Sequence, residues 1–207
     1  MSAHPAPDTA IPQHIVPQTF ASGLRSVLRQ DPDIIMLGEI RDHETAVMAI
    51  QSSLTGHMVF STLHTSDAAS AVTRLLDLGI EPYLASSSLQ AVLAQRLVRQ
   101  ICRGCRTEIA ITDAERKSLL LGNPLTSAYT GAGCDACRGT GYSGRFSISK
   151  LLLVTEAIQP CIQQQDNAAQ IRNAVTTDGF EPMRTDGIRK IAEGVTTVER
   201  VLRVSAS

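Results

Sequence analysis

The sequence contains no Trp, and its aromatic residues amount to only 3%. A platform of rings on which bases could stack is therefore not expected. An excess of charge is missing too: 19 Lys and Arg stand against 20 Asp and Glu, for a formal net charge of −1. Binding nucleic acid through counterion release needs unbalanced Lys and Arg, so no nucleic-acid partner is expected. There are no long hydrophobic runs. Runs such as Ile34–Leu37 and Leu151–Val154 fall far short of the roughly 20 apolar residues of a membrane span. Nor does a basic segment followed by an apolar block open the chain, so no secretory signal is read there. A cytoplasmic protein without a direct membrane span is expected, reaching any membrane through a partner.

What is present is enough for a folded core: 207 residues, 43% of them hydrophobic. Residues 1–18 carry Pro5, Pro7, Pro12 and Pro17 and read as an extended or disordered lead-in. Phe20 to Gln30 has helical spacing, with Leu24, Val27 and Leu28 on one face, until Asp31-Pro32 breaks it. Asp33 to Gly38 is a short continuous apolar run of the kind that fills a strand buried on both faces. Asp42 to Leu54 turns helical and stops at Thr55-Gly56, and Met58 to Leu63 is strand-like again. Strand, helix, strand at this spacing predicts a βαβ unit and a parallel sheet. Helices are expected over about 67–78 and 82–101, with Gly79 between them and Pro82 in a first turn. Thr112-Asp-Ala-Glu115 reads as a capping box opening a helix to about Leu121. Gly139 to Gly144 is expected to be a turn-rich loop, Ile148 to Val154 a last strand, and Thr196-x-x-Glu199 a second capping box in a helical tail.

Three groups of residues carry chemistry. The first is Glu39, one residue past the apolar run and so at the carboxyl end of a strand, where open parallel sheets place their ligands. Gly38 beside it allows close backbone approach. A carboxylate there can orient a magnesium-bound water or act as a general base in phosphoryl transfer; equally, it can pair with Arg41 or cap the next helix. The second group is the histidines. His57 and His64 bracket the second strand, and His64 with Thr62 and Thr65 falls at the same edge as Glu39. They can sense a phosphate, or be hydrogen-bonded structural histidines. The third is the cysteines: Cys102/Cys105 and Cys134/Cys137 form two Cys-x-x-Cys pairs, leaving Cys161 as a small buried apolar residue. In a reducing compartment this spacing favours metal over disulfides. Two such knuckles close a tetrahedral structural zinc site.

Cys134-Asp-Ala-Cys137-Arg-Gly139-Thr-Gly141 also fits the Cys-x-x-Cys-x-Gly-x-Gly repeat of the Hsp40 co-chaperone zinc domain. That domain needs several repeats, and Cys102-Arg-Gly-Cys105 lacks the following glycine pair. The match reads as convergence on one knuckle, with glycines freeing the backbone to turn behind the metal.

From about Thr19 to Val204 the chain resembles the ATPases that power type II secretion and type IV pilus assembly. Gln30-Asp-Pro-Asp33 with Gly38-Glu-Ile-Arg-Asp42 resembles their Walker B region, and Thr55-Gly-His57 with Ser61-Thr-Leu-His64-Thr65 their histidine box. Ala94-Gln-Arg96-Leu-Val-Arg99 resembles the segment before their four-cysteine module and, with Ser86–Ser88, leans toward the secretion branch. The resemblance implies an α/β fold: the distal part of a RecA-like parallel-sheet ATPase domain (19–101), a zinc-binding module (102–145) and a mainly helical C-terminal end (146–207). It implies that Glu39 is catalytic, that His57, His64 and Arg41 couple to nucleotide, and that Cys102, Cys105, Cys134 and Cys137 hold zinc. It further implies Mg-ATP as cofactor in a full-length context, a hexamer, and docking to inner-membrane secretion or pilus platform proteins.

Two departures stand out. Where the family continues after Gly144-Arg145 with a glycine and then a glutamate, this chain has Ser147 and Lys150, a charge reversal expected to alter a contact of that loop. No Gly-x-x-x-x-Gly-Lys-[Ser/Thr] occurs anywhere, although the P-loop NTPase family has one upstream of Walker B. The expectation is a truncated gene product or incomplete gene model, probed by the DNA upstream of Met1, that neither binds ATP tightly nor hydrolyses it alone. A non-enzymatic zinc-stabilised binding module and a zinc chaperone domain are the alternatives.

Overall fold

The computed structural model describes residues 23, 27–30, 32–65, 67–119 and 125–205. The lead-in over 1–18 and most of the helix expected over 20–30 lie outside them. The chain divides into two compact units, one ending at Thr62 and one beginning at Leu63.

The first unit is the expected βαβ element. Strand β1 (Ile34–Glu39), helix α1 (His43–Leu54) and strand β2 (Met58–Thr62) follow in order, and the strands pair in parallel with Ile35 opposite Val59. The Asp42 carboxylate accepts the Thr45 N–H at 2.8 Å and so caps α1. Thr55 ends the helix and Gly56 takes φ +102°, the left-handed stop that glycine permits. The expectation of a strand buried on both faces is corrected. Ile35 and Leu37 are buried, whereas Met36 is 83% and Phe60 54% exposed. Among the described residues, one helix packs against this pair of strands within the unit, so only one side of the pleat is covered.

The second unit opens with α2 (Ala68–Asp77) and α3 (Pro82–Ser88), followed by β3 (Ala91–Ile101) and β4 (Arg106–Ala110). Next come α4 (Asp113–Leu119), β5 (Ser127–Gly131) and β6 (Tyr142–Leu153). It closes with α5 (Gln159–Gln163), α6 (Ala168–Thr177), α7 (Met183–Ala192) and α8 (Val198–Val204). β3 pairs antiparallel with β6, and β4 with β5. The core gathers Val98, Ile148, Leu119, Ile191 and Val201 between the long ladder and the last helices.

Several sequence expectations are corrected here. The helix read over 82–101 stops at Ser88, and residues 91–101 form a strand. Ser87 and Ser88 return their hydroxyls to the carbonyls of Tyr83 and Leu84 at 2.8 and 2.6 Å, a back-bonding that weakens helix continuation. Beyond them, ladder bonds to β6 outweigh the helix preference of Ala, Leu, Gln and Arg. The last strand begins at Tyr142 instead of 148, so Ser147 sits inside the ladder opposite Leu97, as Lys150 does opposite Ala94. Strands β4 and β5 were not expected at all.

The two capping boxes part company. Thr112 and Glu115 exchange the predicted bonds, the Thr112 N–H and hydroxyl to the Glu115 carboxylate at 2.9 and 2.8 Å and the Glu115 N–H back at 3.2 Å. The second box does not form: Thr196 is buried and donates its hydroxyl to the Arg99 carbonyl at 2.8 Å, tying the tail to β3. Cys161, expected to be buried, is only half-buried in α5.

Packing of α7 on α8 is closed by Gly187, whose missing Cβ would fall on the Val201 side chain. Gly187→Ala is expected to cost about 1–3 kcal/mol through overpacking, in spite of the better helix propensity of alanine. Urea denaturation should show the loss, and part of it should return in a Gly187→Ala/Val201→Ala double variant.

Candidate functional site

The cysteine pairs are placed by the ends of the long ladder. β3 ends at Ile101, and the next residue, Cys102, donates its N–H to the Gly141 carbonyl at 2.9 Å, immediately before β6 begins. Each pair then wraps a single 3-10 turn, Arg103–Cys105 and Asp135–Cys137. Behind the second knuckle Arg138, Gly139 and Gly141 take φ of 53°, 72° and 73°, the left-handed turn the sequence assigned to its glycines.

The four sulfurs converge within 4.8 Å of one another. Cys102 to Cys134 is 3.9 Å, Cys105 to Cys137 3.8 Å and Cys134 to Cys137 3.7 Å. These separations rule out disulfides, whose sulfurs lie about 2.05 Å apart. They match the edges of about 3.8 Å that a tetrahedron with metal–sulfur bonds of about 2.3 Å requires. The four thiols can hold a metal ion.

The electrostatics point the same way. The Cys137 sulfur accepts the N–H groups of Cys134 and Gly141, each at 3.2 Å. With the Cys134 amide as the largest influence, this thiol is held down to about 6. Burial, and the crowding of the other three sulfurs, push the Cys105 thiol up to about 12. One thiolate is thus favoured and further ones repel it. A bound cation relieves that repulsion.

Sequence reasoning missed what closes the module. A Cβ at Gly131 would overlap the Gly141 main chain, and one at Gly141 would overlap that of Gly131. Gly133 meets the Gly139 carbonyl in the same way, at 2.7 Å. The signal was present in Gly131-Ala-Gly133 and Gly139-Thr-Gly141, but only the close approach of their main chains in the structure shows that the two segments cross.

In the first unit, Glu39 ends β1 opposite Thr62. Between Met36 and Glu39 the register slips by one residue, since Met36 faces Phe60, and such a bulge re-aims the side chains that follow it. The Thr62 hydroxyl donates to the Gly38 carbonyl at 2.8 Å. Gly38 itself has an open position: a Cβ there would meet nothing within 4 Å, so no close approach by the described residues uses it. Glu39 does not cap α1, which is Asp42's role. It accepts from Arg41, Nε at 2.7 Å and Nη2 at 2.6 Å, and this carboxylate raises the Arg41 guanidinium.

Within the first unit, His57 is not brought together with Glu39. His57 precedes β2, so the five residues of that strand put roughly 15 Å between it and the Glu39 end. Its Nδ1 lies 3.0 Å from the Ser52 carbonyl and 3.1 Å from the Thr55 hydroxyl. A carbonyl only accepts, so Nδ1 carries the proton and the ring closes the C-terminal turn of α1. His64 is exposed and belongs to the second unit, while Thr65 donates to the Asp67 carbonyl at 3.1 Å.

Residues 10–203 match the family described as Type II/IV secretion system protein. The type II secretion system protein E of Aeromonas hydrophila is 49% identical over 193 residues, covering 92% of this chain and 38% of the relative. The type IV pilus assembly ATPase TfpB of Acinetobacter baylyi is 47% identical over 188 residues, 89% of this chain and 32% of the relative. Among solved structures, the pilus retraction motor PilT with bound ADP superposes with TM-score 0.61 at 25% identity, over 92% of this chain and 44% of that one. The ATPase DotB of Yersinia pseudotuberculosis gives 0.63 at 22%, over 91% and 40%. The fold is thus an α/β one shared with these ATPases, and it carries a four-sulfur cluster that could hold a metal ion. The chain belongs to the type II/IV secretion system protein family and spans about a third to two-fifths of the length of these curated relatives.

The cluster should retain about one metal ion per chain after gel filtration, measured by elemental analysis. Cys134→Ser is expected to release it. Gly141→Ala, which keeps all four ligands but blocks the crossing with Gly131, should speed transfer to a chromophoric chelator at least tenfold. Equal release from Gly141→Ala and the parent chain would separate the crossing from the metal centre.

Proposed function

We propose that this chain is the catalytic-carboxylate and zinc-bearing portion of an ATPase that drives assembly of the type II secretion pseudopilus or a type IV pilus. The observation that carries the reading is Glu39, placed by a bulge at the carboxyl end of β1 and facing Thr62 across the parallel pair. That is where open parallel sheets present catalytic groups. The names of the relatives support the reaction: a type II secretion system protein E and a type IV pilus assembly ATPase.

In this reading Glu39 orients the attacking water and Arg41, exposed beside it, exchanges its carboxylate for phosphate oxygens at little cost. His64 reports on the terminal phosphate, and His57 acts at one remove by fixing the end of α1. Residues 19–101 serve the nucleotide, 102–145 form the metal module and 146–207 the helical end. Zinc is the ion, as four thiolates in a closed tetrahedron suit it and no coordination position is left open for chemistry. The working assembly is a cytoplasmic hexamer at the inner membrane, held there by platform proteins. Among the described residues no helix is long and apolar enough to cross a membrane, in keeping with attachment through partners.

The chain has no P-loop to wrap the phosphates, so calorimetry of the chain alone with Mg-ATP is expected to show no specific binding. A zinc-stabilised binding module would give the same silence. A chimera separates the two readings: the chain joined behind the preceding part of the Aeromonas relative. There Glu39→Gln is expected to lower ATP turnover about 10²–10⁴-fold while sparing nucleotide affinity. Parallel loss of affinity and turnover would make Glu39 a structural or magnesium-holding residue.

A further inference from the structure

The segment that carries His64 is tied to a helix more than a hundred residues away. Arg172, on α6, donates from Nη1 to Asp67 Oδ2 at 2.6 Å, across a sequence separation of 105. The other oxygen of the same carboxylate, Oδ1, accepts the Ser70 N–H at 2.7 Å and caps α2. The Asp67 main-chain carbonyl accepts the Thr65 hydroxyl at 3.1 Å. Asp67 is therefore held at three points: by its helix, by the residue that follows His64, and by Arg172. Burial raises its carboxyl, but the Ser70 amide and Arg172 outweigh burial and keep it below the usual range.

The far end of the tether is itself rigid. Asn167 and Gln170 form a reciprocal capping box at the start of α6. Ile171 and Val175 are fully buried, and the helix packs on α2. Arg172 thus projects from a fixed base, next to a buried isoleucine. The compact unit that contains α6 begins at Leu63, so His64, Thr65, Asp67 and Arg172 all lie in one body.

We infer that Arg172 is a positioning residue, which through Asp67 fixes the segment bearing His64 and Thr65 and makes the C-terminal helical part the base on which that segment stands. The consequence for turnover rests on the nucleotide role proposed above for His64; the mechanical tether does not.

Two variants of the full chain isolate the contact. Asp67→Asn removes the charge pair yet keeps the helix cap, because asparagine caps as well as aspartate. Arg172→Gln removes it from the other side. A partly exposed pair of this kind is expected to change local opening about threefold to fivefold. Hydrogen exchange of the amides from His64 to Ser70 should speed up by that factor in either variant. The double variant should add nothing, Arg172→Lys should restore most of the protection, and amides of the β3–β6 ladder should not change. Raising the salt concentration should weaken the parent toward the variants.

Unchanged exchange in Asp67→Asn and Arg172→Gln, or additive effects in the double variant, would overturn the tether. In the chimera Arg172→Gln should lower kcat with little change in KM for ATP. A loosened segment with unaltered kcat would leave the tether standing and remove the nucleotide role of His64.

Discussion

The antiparallel ladder of β3 and β6 is the constraint from which the metal centre follows. Ten residue pairs, from Ala91–Leu153 to Ile101–Tyr142, lock the two strands in register. The ladder ends where the cysteines begin, so Cys102 leaves one strand as the second knuckle returns to the other. The bond from the Cys102 amide to the Gly141 carbonyl is the last rung, and the Gly141 amide in turn donates to the Cys137 sulfur. Residues 32 positions apart in sequence thereby meet at sulfur–sulfur distances below 4 Å. A slip of one residue would turn every side chain of β3 to the opposite face and separate the pairs. The glycine crossing at Gly131 and Gly141 has the same origin: β5 and the approach to β6 are forced into one narrow space, and only residues without a Cβ fit it.

The same ladder carries the C-terminal helices. Tyr142, the first residue of β6, lies between chemistry and support: the Arg99 and Arg200 guanidiniums each sit 5.0 Å from its ring centroid, and its hydroxyl is 3.2 Å from that of Thr197. The cation–π contacts join a strand residue to α8 without burying a salt bridge. Arg106 over Tyr129, at 4.9 Å, repeats the arrangement in β4 and β5, and its guanidinium also reaches the Glu193 carbonyl at 3.5 Å. In a chain with so few aromatic rings, tyrosines serve here to tie the metal module to the tail.

How far the sequence could be read depended on whether the deciding interaction was local. The cap and stop of α1 and the Thr112–Glu115 box are set by neighbours three or four residues away, and these appear in the structure as expected. The cysteine cluster was legible because Cys-x-x-Cys is a local geometry repeated twice. Residues 91–101 were not, since Ala, Leu, Gln and Arg suit a helix and only β6, about fifty residues later, makes them a strand. Thr196 failed as a cap for the same reason: the Arg99 carbonyl, 97 positions away, takes its hydroxyl. The role of Arg172 is equally non-local, and nothing near it in sequence points to Asp67.

The first unit shows a different limit. Its apolar run, Ile34–Leu37, reads as a strand to be covered on both sides, and the structure covers Ile35 and Leu37 but leaves Ile34 and Met36 open. Each apolar side chain left in water forgoes about 25 cal/mol per Å² of the surface that burial would remove. Among the described residues, β1, α1 and β2 by themselves are also too few to bury a large fraction of their own surface. The placement of Glu39 depends on this pair of strands, and in particular on the bulge after Met36. The geometry of the carboxylate end is therefore only as firm as the packing beneath it, and that packing comes from one face. Added apolar cover on Ile34, Met36 and Phe60 would stiffen the strand that carries Glu39 without touching the carboxylate, its Arg41 partner or the bond from Thr62 to Gly38.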